Sequence, residues 1–297
     1  MAPLLLLAYS CAMFLDSQDV RRAFGEDEFF PFFQPIVELA TGRLTGFEAL
    51  ARWNHARLGA IAPDAFIPIV LRCGFIHALT QRLLAKTFAA APLLPASLGL
   101  SVNLSPHQLV DRTLPGQIAA VARRGGFPLE RLTVELNEST LIEYLHTAQA
   151  VAGDLKALGC RLALDDFGTV HSSLFLLQAL PFDELKIDRS FVHSATEGRE
   201  SGKIVAAVVS LAHSLGLTTV AQGVETEEQA AAMMEFRCDL SQGWLFGRPA
   251  GAGDIPRMVS ETPNLRYSFT VASAQEGLIP GMKPAGVEIE EAVCNAA

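Results

Sequence analysis

This sequence predicts an α/β architecture: eight strands closed into a barrel, one of them running against the other seven. Three observations carry that expectation. Apolar, β-rich runs alternate with helical patterns from residue 29 to residue 246. The last three connections read strand, helix, strand, helix, strand, which is the order of a parallel sheet. The first two runs are joined only by "ELATGR" (38–43). That link is too short for a crossover helix, so it makes a hairpin and turns one strand antiparallel.

The elements follow in chain order. "DSQDVRRAFGEDE" reads as a short amphipathic helix, N-capped by Asp16 or Ser17. Strands are expected at 29–37, 45–50, 98–104, 132–136, 160–164, 182–187, 217–221 and 243–246. Helices are expected at 64–71, 75–90, 115–124, 142–158, 172–179, 199–215 and 226–236. Eight strands with helices between them close into a barrel more readily than they extend an open sheet. The Phe-rich start (Phe29, Phe30, Phe32, Phe33) reads as core packing.

The ends of the chain read differently. "PLLLLAYSCAMFL" (3–15) is apolar but shorter than the roughly 20 residues a membrane helix needs. It also lacks the basic residues that precede a signal core. A buried helix, the remnant of a membrane segment and a misplaced start all remain open. Past residue 260 the periodicity stops, and Gly, Pro, Ala and Glu mix without pattern. The expected organisation is therefore an apolar extension over 1–17, a barrel domain over 18–260, and a poorly ordered tail over 261–297.

Composition narrows the function. The chain has 297 residues, 50% hydrophobic and 19% charged, which is globular with ample core. A formal charge of -9 excludes nonspecific binding of DNA or RNA polymers, which needs a basic stripe to displace counterions. The five cysteines are an odd number, widely spaced and without C-x-x-C. They read as free thiols of a reducing cytoplasm, with no disulfide framework or zinc site.

The polar residues gather at strand ends. The second strand carries Glu48 and Arg52, the third ends in Asn103, the fourth in Glu135, and the fifth in Asp165 and Asp166. The sixth ends in Lys186 and Asp188, the seventh in Gln222 with Glu225 three residues on, and Gln242 precedes the eighth. In a parallel barrel these ends meet at one mouth, where barrel enzymes keep their chemistry. The oxygens of Glu48, Asn103, Glu135, Asp165 and Asp166 suit Mg²⁺ or Mn²⁺, and their number suggests two cations. Such pairs serve displacement at phosphorus, and Lys186 would add positive charge beside them. Taken singly, Lys186 could be a surface lysine, Asn103 a turn residue, Glu225 a helix N-terminal carboxylate and Asp188 a structural cap.

The motifs "FEALARW", "SVNLS", "VELNES", "LALDDFGT", "LKIDRSFV", "VAQGVETEEQ" and "SQGWLFGRP" resemble, in order and spacing, those of the EAL domain family. The resemblance implies a modified TIM (β/α)8 barrel with one antiparallel strand. It implies Mg²⁺- or Mn²⁺-dependent cleavage of cyclic di-GMP to linear pGpG, by a homodimer in the cytoplasm or on the cytoplasmic face of the inner membrane. It assigns Glu48, Asn103, Glu135, Asp165 and Asp166 to two metals. It assigns Lys186 to orienting the water and Glu138 to bracing the loop after the aspartates. Substrate contacts would come from Gln34, Leu50, Arg52, Asn103, Asp188, Glu225 and Gln242. Glu48, Gln222 and Glu225 complete the catalytic set with Lys186.

Two departures bear on activity. Gln222 stands where the family has the first glutamate of A-E-G-V-E, which the resemblance assigns to the second metal or to the general base. An amide oxygen can still ligate a hard cation but is neutral and weaker, so the second site is expected to be weakened, and an amide cannot accept a proton. General-base assistance is worth ~10²–10⁴ in rate. Val170 and His171 replace the family's Gly and Tyr after the aspartates; Asn137, where the family often has Thr, reads as a minor change. The expectation is a phosphodiesterase of reduced activity. The alternative is an impaired barrel acting as a cyclic di-GMP sensor or a protein-interaction module. An enolase-type lyase fits the Asp-Asp pair and Arg52 poorly.

Overall fold

The structure, a computed structural model, describes residues 15–141, 145–168 and 174–261. The apolar run before Leu15, Val170 and His171, and the tail after Glu261 lie outside the described residues.

Nine strands form one sheet in the order β1-β9-β8-β7-β6-β5-β4-β2-β3, and a further β1–β2 pairing closes it. The strands are β1 (Phe29–Glu38), β2 (Leu44–His55), β3 (Gly59–Ile61), β4 (Gly99–Leu104), β5 (Leu132–Asn137), β6 (Arg161–Phe167), β7 (Glu184–Ile187), β8 (Thr218–Ala221) and β9 (Leu240–Gln242). β1 runs antiparallel to both β2 and β9, and the remaining barrel neighbours pair in parallel. This is the modified TIM barrel of the sequence reading, with eight staves and one reversed. β3 is an extra strand that hangs on the end of β2; three residues are too few for any periodicity to announce them.

Side-chain alternation sets the two faces of each stave. On β5, Leu132, Val134 and Leu136 share one face, and Thr133, Glu135 and Asn137 share the other. The helix Leu145–Ala157 buries Ala148, Val151, Ala152 and Leu155, the i, i+3, i+4, i+7 spacing of one helical face. Each fully buried Leu or Val contributes about 1.5–3 kcal/mol.

A satellite core closes the β1–β2 corner. Val20 and Ala23 of the helix Ser17–Gly25 meet Phe29, Trp53, Phe66 and Val70. Asp16 caps that helix in a capping box with Asp19. The Trp53 indole N–H donates to Glu28 Oε2 at 2.7 Å, and Arg22 pairs with the other oxygen of Glu28 at 2.6 Å.

Two expectations change. The eighth strand is Leu240–Gln242; residues 243–246 form a turn instead. A Cβ at Gly243 would lie 2.0 Å from the Val224 carbonyl oxygen, so the chain presses backbone to backbone here. The Leu245 N–H then donates to Val224 O, which folds the apolar run away from the sheet. Only Phe29 and Phe33 of the four phenylalanines are core. Phe30 is 38% exposed beneath the Lys86 ammonium, and Phe32 lies under the Arg52 guanidinium.

Candidate active site

Lys186 is the centre of the site. It projects from β7 and is 1% exposed. Its ammonium donates to Glu135 Oε2 at 2.6 Å and Glu48 Oε2 at 3.1 Å, and stands 3.7 Å from Asp165 Oδ1. The acids come from three other staves: Glu48 from β2, Glu135 from β5, Asp165 from β6. They meet because the parallel register places Glu48 beside Ser101, Asn103 beside Glu135, and Asn137 beside Asp165.

Neutral donors complete the cluster. Asn103 Nδ2 donates to Glu48 Oε1 at 2.6 Å, and Gln242 Nε2 donates to Glu48 Oε2 at 2.7 Å. Gln242 also donates to Gln34 Oε1 at 3.0 Å, and Gln34 donates to the Gly247 carbonyl at 3.2 Å. This amide chain exists because β1 pairs with β9 and sets Gln34 opposite Glu48. The same β1–β2 register sets Leu50 opposite Phe32 and Arg52 opposite Phe30, one and two steps along the inner face. Gln222 Nε2 donates to Asp165 Oδ1 at 2.9 Å.

Asp166 adopts φ +57°, a left-handed conformation unusual for a residue with a side chain. It breaks the β6–β7 register between Leu164 and Phe167, which separates its side chain from that of Asp165. Asn137 Nδ2 donates to Asp166 Oδ2. Two residues on, the Gly168 N–H donates to Glu138 Oε2 at 3.1 Å. Gly168 has φ +102°, and a Cβ there would lie 2.3 Å from the Phe191 ring. Glu138 is 2% exposed and grips the backbone just after the aspartate pair.

The electrostatics follow from burial. Burial alone would lower the Lys186 ammonium, but Asp165, Glu135 and Glu48 hold it well above its ordinary value. Burial first, then the Glu48 charge, pushes the Glu135 carboxyl well above the carboxylate range. Burial and the Asp165 and Asp188 charges push Asp166 to about 6. Burial lowers the Arg52 guanidinium, against the pull of Glu48 and Asp64.

The residues fit a divalent cation. Every donor is an oxygen or an amide, the acids outnumber the ammonium, and Glu135 Oε1 is buried without a hydrogen-bond partner. Among the described residues no group of three or more His, Cys, Asp or Glu already stands in coordinating geometry. A cleft of about 570 Å³ opens beside the cluster. Glu48, Asn103, Asn137 and Asp165 line its polar end, and Leu50, Ile67, Leu71 and Leu83 its apolar side.

The remaining candidates stand at the edge. Asp188 caps the helix Arg189–Glu197, accepting from the Ser190 N–H at 2.9 Å. Glu225 is exposed just before the helix Glu227–Glu235, and its N–H donates to Gln229 Oε1 at 2.7 Å. Asn137 is the site residue whose weight the sequence reading missed. Its signal was present: it sits two residues beyond Glu135 on one strand, and so on the same face.

The EAL domain family profile matches residues 17–249. An uncharacterized signaling protein of Caulobacter vibrioides is 41% identical over 234 residues, 79% of this chain and 29% of that protein. The cyclic di-GMP phosphodiesterase RocR of Pseudomonas aeruginosa is 36% identical over 235 residues, 78% of this chain and 60% of that protein. Among solved structures, the PaMucR phosphodiesterase in complex with c-di-GMP matches with a TM-score of 0.76 at 33% identity. That match covers 80% of this chain and 98% of the other. The chain spans less than two thirds of the length of these two curated relatives.

Proposed function

This chain belongs to the EAL domain family, and we propose from that premise that it is a divalent-metal-dependent phosphodiesterase opening cyclic di-GMP to linear pGpG. The observation that carries the reading is the convergence of Glu48, Glu135 and Asp165 on Lys186 beside an open cleft. Glu48, Asn103, Glu135, Asp165 and Asp166 would hold two Mg²⁺ or Mn²⁺ ions. Such ions supply Lewis acidity toward water and neutralise charge at phosphorus.

The chain's own groups have distinct tasks. Lys186, kept protonated by its acids, offers N–H hydrogens to an attacking water or a phosphoryl oxygen. Arg52, held on the inner face by Phe32 and by its hydrogen bond to Ala51 O, presents positive charge to a phosphate. Gln34 and Gln242 hold Glu48 in place. Leu50 and the apolar side of the cleft exclude water from one flank of the nucleotide. Attack adds the water oxygen to phosphorus and breaks one P–O ester bond, and the released ribose oxygen takes a proton. Gln222 takes no part in that proton traffic, since an amide is not a base near neutrality.

A second reading is favoured by Gln222 itself: a barrel that binds cyclic di-GMP and turns it over too slowly to matter. Purified protein with Mn²⁺ and cyclic di-GMP, assayed for pGpG beside Gln222→Glu, separates the two. Slow cleavage that rises ~10²–10⁴-fold in the variant supports the impaired enzyme. Rapid cleavage by wild type with no gain in the variant refutes the role given to Gln222. Binding without cleavage by either form establishes the sensor.

No helix among the described residues is long and apolar enough to cross a membrane. A cyclic di-GMP substrate supports a reading in which the domain works in the cytoplasm or on the inner face of the membrane. Light scattering tests the homodimer, and fractionation tests a membrane link through residues 1–15.

A further inference from the structure

We propose that Gln222 is a positioning residue: its amide holds Asp165 when no cation is bound, and the same amide weakens one of the two cation positions. The second half deepens the metal-dependent reading and rests on it; the first half does not.

The geometry points to both halves. Gln222 is anchored on the barrel rim, its backbone N–H donating to Ile187 O at 3.0 Å next to the stave that carries Lys186. From there its side-chain Nε2 donates to Asp165 Oδ1 at 2.9 Å. An amide nitrogen and oxygen leave the same planar carbon on opposite sides, so an N–H aimed at Asp165 turns the oxygen away from it.

The four acids are each met by donors of the protein itself. Glu48 has Asn103, Gln242 and Lys186, Glu135 has Lys186, Asp166 has Asn137, and Asp165 has Gln222 beside the more distant Lys186. The protein therefore supplies at least one donor to every acid of the cluster. A carboxylate in place of the amide has no hydrogen to give Asp165. It would add a charge to a set of acids that already outnumber their one ammonium. A cation would then be needed to hold the cluster, and would be held more tightly in return.

The test uses the full chain as wild type, Gln222→Glu and Gln222→Leu, at pH 8. Thermal unfolding is followed in EDTA and across a Mn²⁺ series, and bound Mn²⁺ is counted by electron paramagnetic resonance. Both variants should unfold at lower temperature than wild type in EDTA, Leu by losing the donor and Glu by losing it and adding charge. With Mn²⁺, Gln222→Glu should recover, and bind its weaker Mn²⁺ about tenfold more tightly than wild type. Gln222→Leu should show no such gain.

Variants as stable as wild type in EDTA would overturn the brace. Equal Mn²⁺ affinity in wild type and Gln222→Glu would overturn the cation half. If neither form binds Mn²⁺, the metal-dependent reading fails, and the EDTA comparison still decides the brace. Should the Glu variant not fold, Gln222→Leu alone decides it.

Discussion

Replacing Lys186 by Met should leave a barrel that folds only marginally without cations and recovers when they or protons are supplied. The ammonium is 1% exposed and lies 2.6, 3.1 and 3.7 Å from three carboxylates. At an effective dielectric of 20, each such contact is worth about 4–6 kcal/mol before desolvation is charged against it. Desolvation of the lysine and of the acids offsets most of that sum. What remains measurable is the cost of leaving buried charge unpaired, about 3–5 kcal/mol. A domain stable by about 5–15 kcal/mol loses about a fifth or more of its margin. Burial already holds Glu135 and Asp165 above their ordinary values, and without the ammonium both rise further; Glu48, held below its own against burial chiefly by the Lys186 charge, rises as well. A group raised on folding contributes stability below its unfolded value and loses it as pH rises through the folded one. The deficit of Lys186→Met should therefore shrink as pH falls. Urea unfolding followed by far-UV circular dichroism, in EDTA at pH 8 and at pH 5.5, reads both quantities. A deficit below about 1 kcal/mol would refute the buried-pair argument, as would a deficit equal at both pH values.

Other perturbations have equally definite outcomes. Gly243→Ala drives a Cβ to 2.0 Å from the Val224 carbonyl oxygen, which lies in backbone and cannot rotate aside. It should cost about 1–3 kcal/mol or more by thermal unfolding, and an unchanged midpoint would deny the close approach. Burial alone would raise Glu28, but hydrogen bonds from Arg22 and Trp53 hold it below its ordinary value. That stability is full above the unfolded carboxylate range and fades as pH falls toward the lowered folded value. Glu28→Gln should flatten the acid limb of a Trp-fluorescence stability profile, and an identical limb would exclude Glu28 as its source. Asn137→Ala removes a donor from Asp166 and should weaken Mn²⁺ binding by about 1–3 kcal/mol; unchanged affinity by calorimetry would make Asn137 a bystander. Gly168→Ala meets the Phe191 ring and an unfavourable φ, and should cost about 1–3 kcal/mol. It should also loosen the Glu138 grip, visible as faster amide exchange at residue 168.

Much of this site was legible in one dimension, because side-chain direction in a strand has a period of two and strands of a barrel share one mouth. From Glu135 alone the period marks Asn137 as a neighbour on the same face. The short link 38–43 announced the reversed stave, and Asp16 announced the first helix through a capping preference that acts within three residues. Asp188 kept the structural role of a cap as well as its place at the rim. The eighth strand was misplaced because "WLF" is apolar like a strand, while its fold is set by contact with Val224, about which local pattern carries no information. Phe30 and Phe32 looked like core for the same reason, yet their face of β1 rises past Gln34 to the open mouth.

The linear order of residues determined which groups would be available: acids, amides and one lysine, distributed over successive staves. It also determined the alternation that makes those staves and the helices between them. Tertiary closure alone decided who partners whom. Gln242 reaches Glu48 across 194 positions, Lys186 reaches Glu48 across 138, and Gln222 reaches Asp165 across 57. Such pairings are fixed by barrel register and by the antiparallel pairing of β9 with β1 that closes the sheet. Hydrogen bonds act over about 3 Å and close ion pairs over about 4 Å, and only the closed barrel brings these groups within that range.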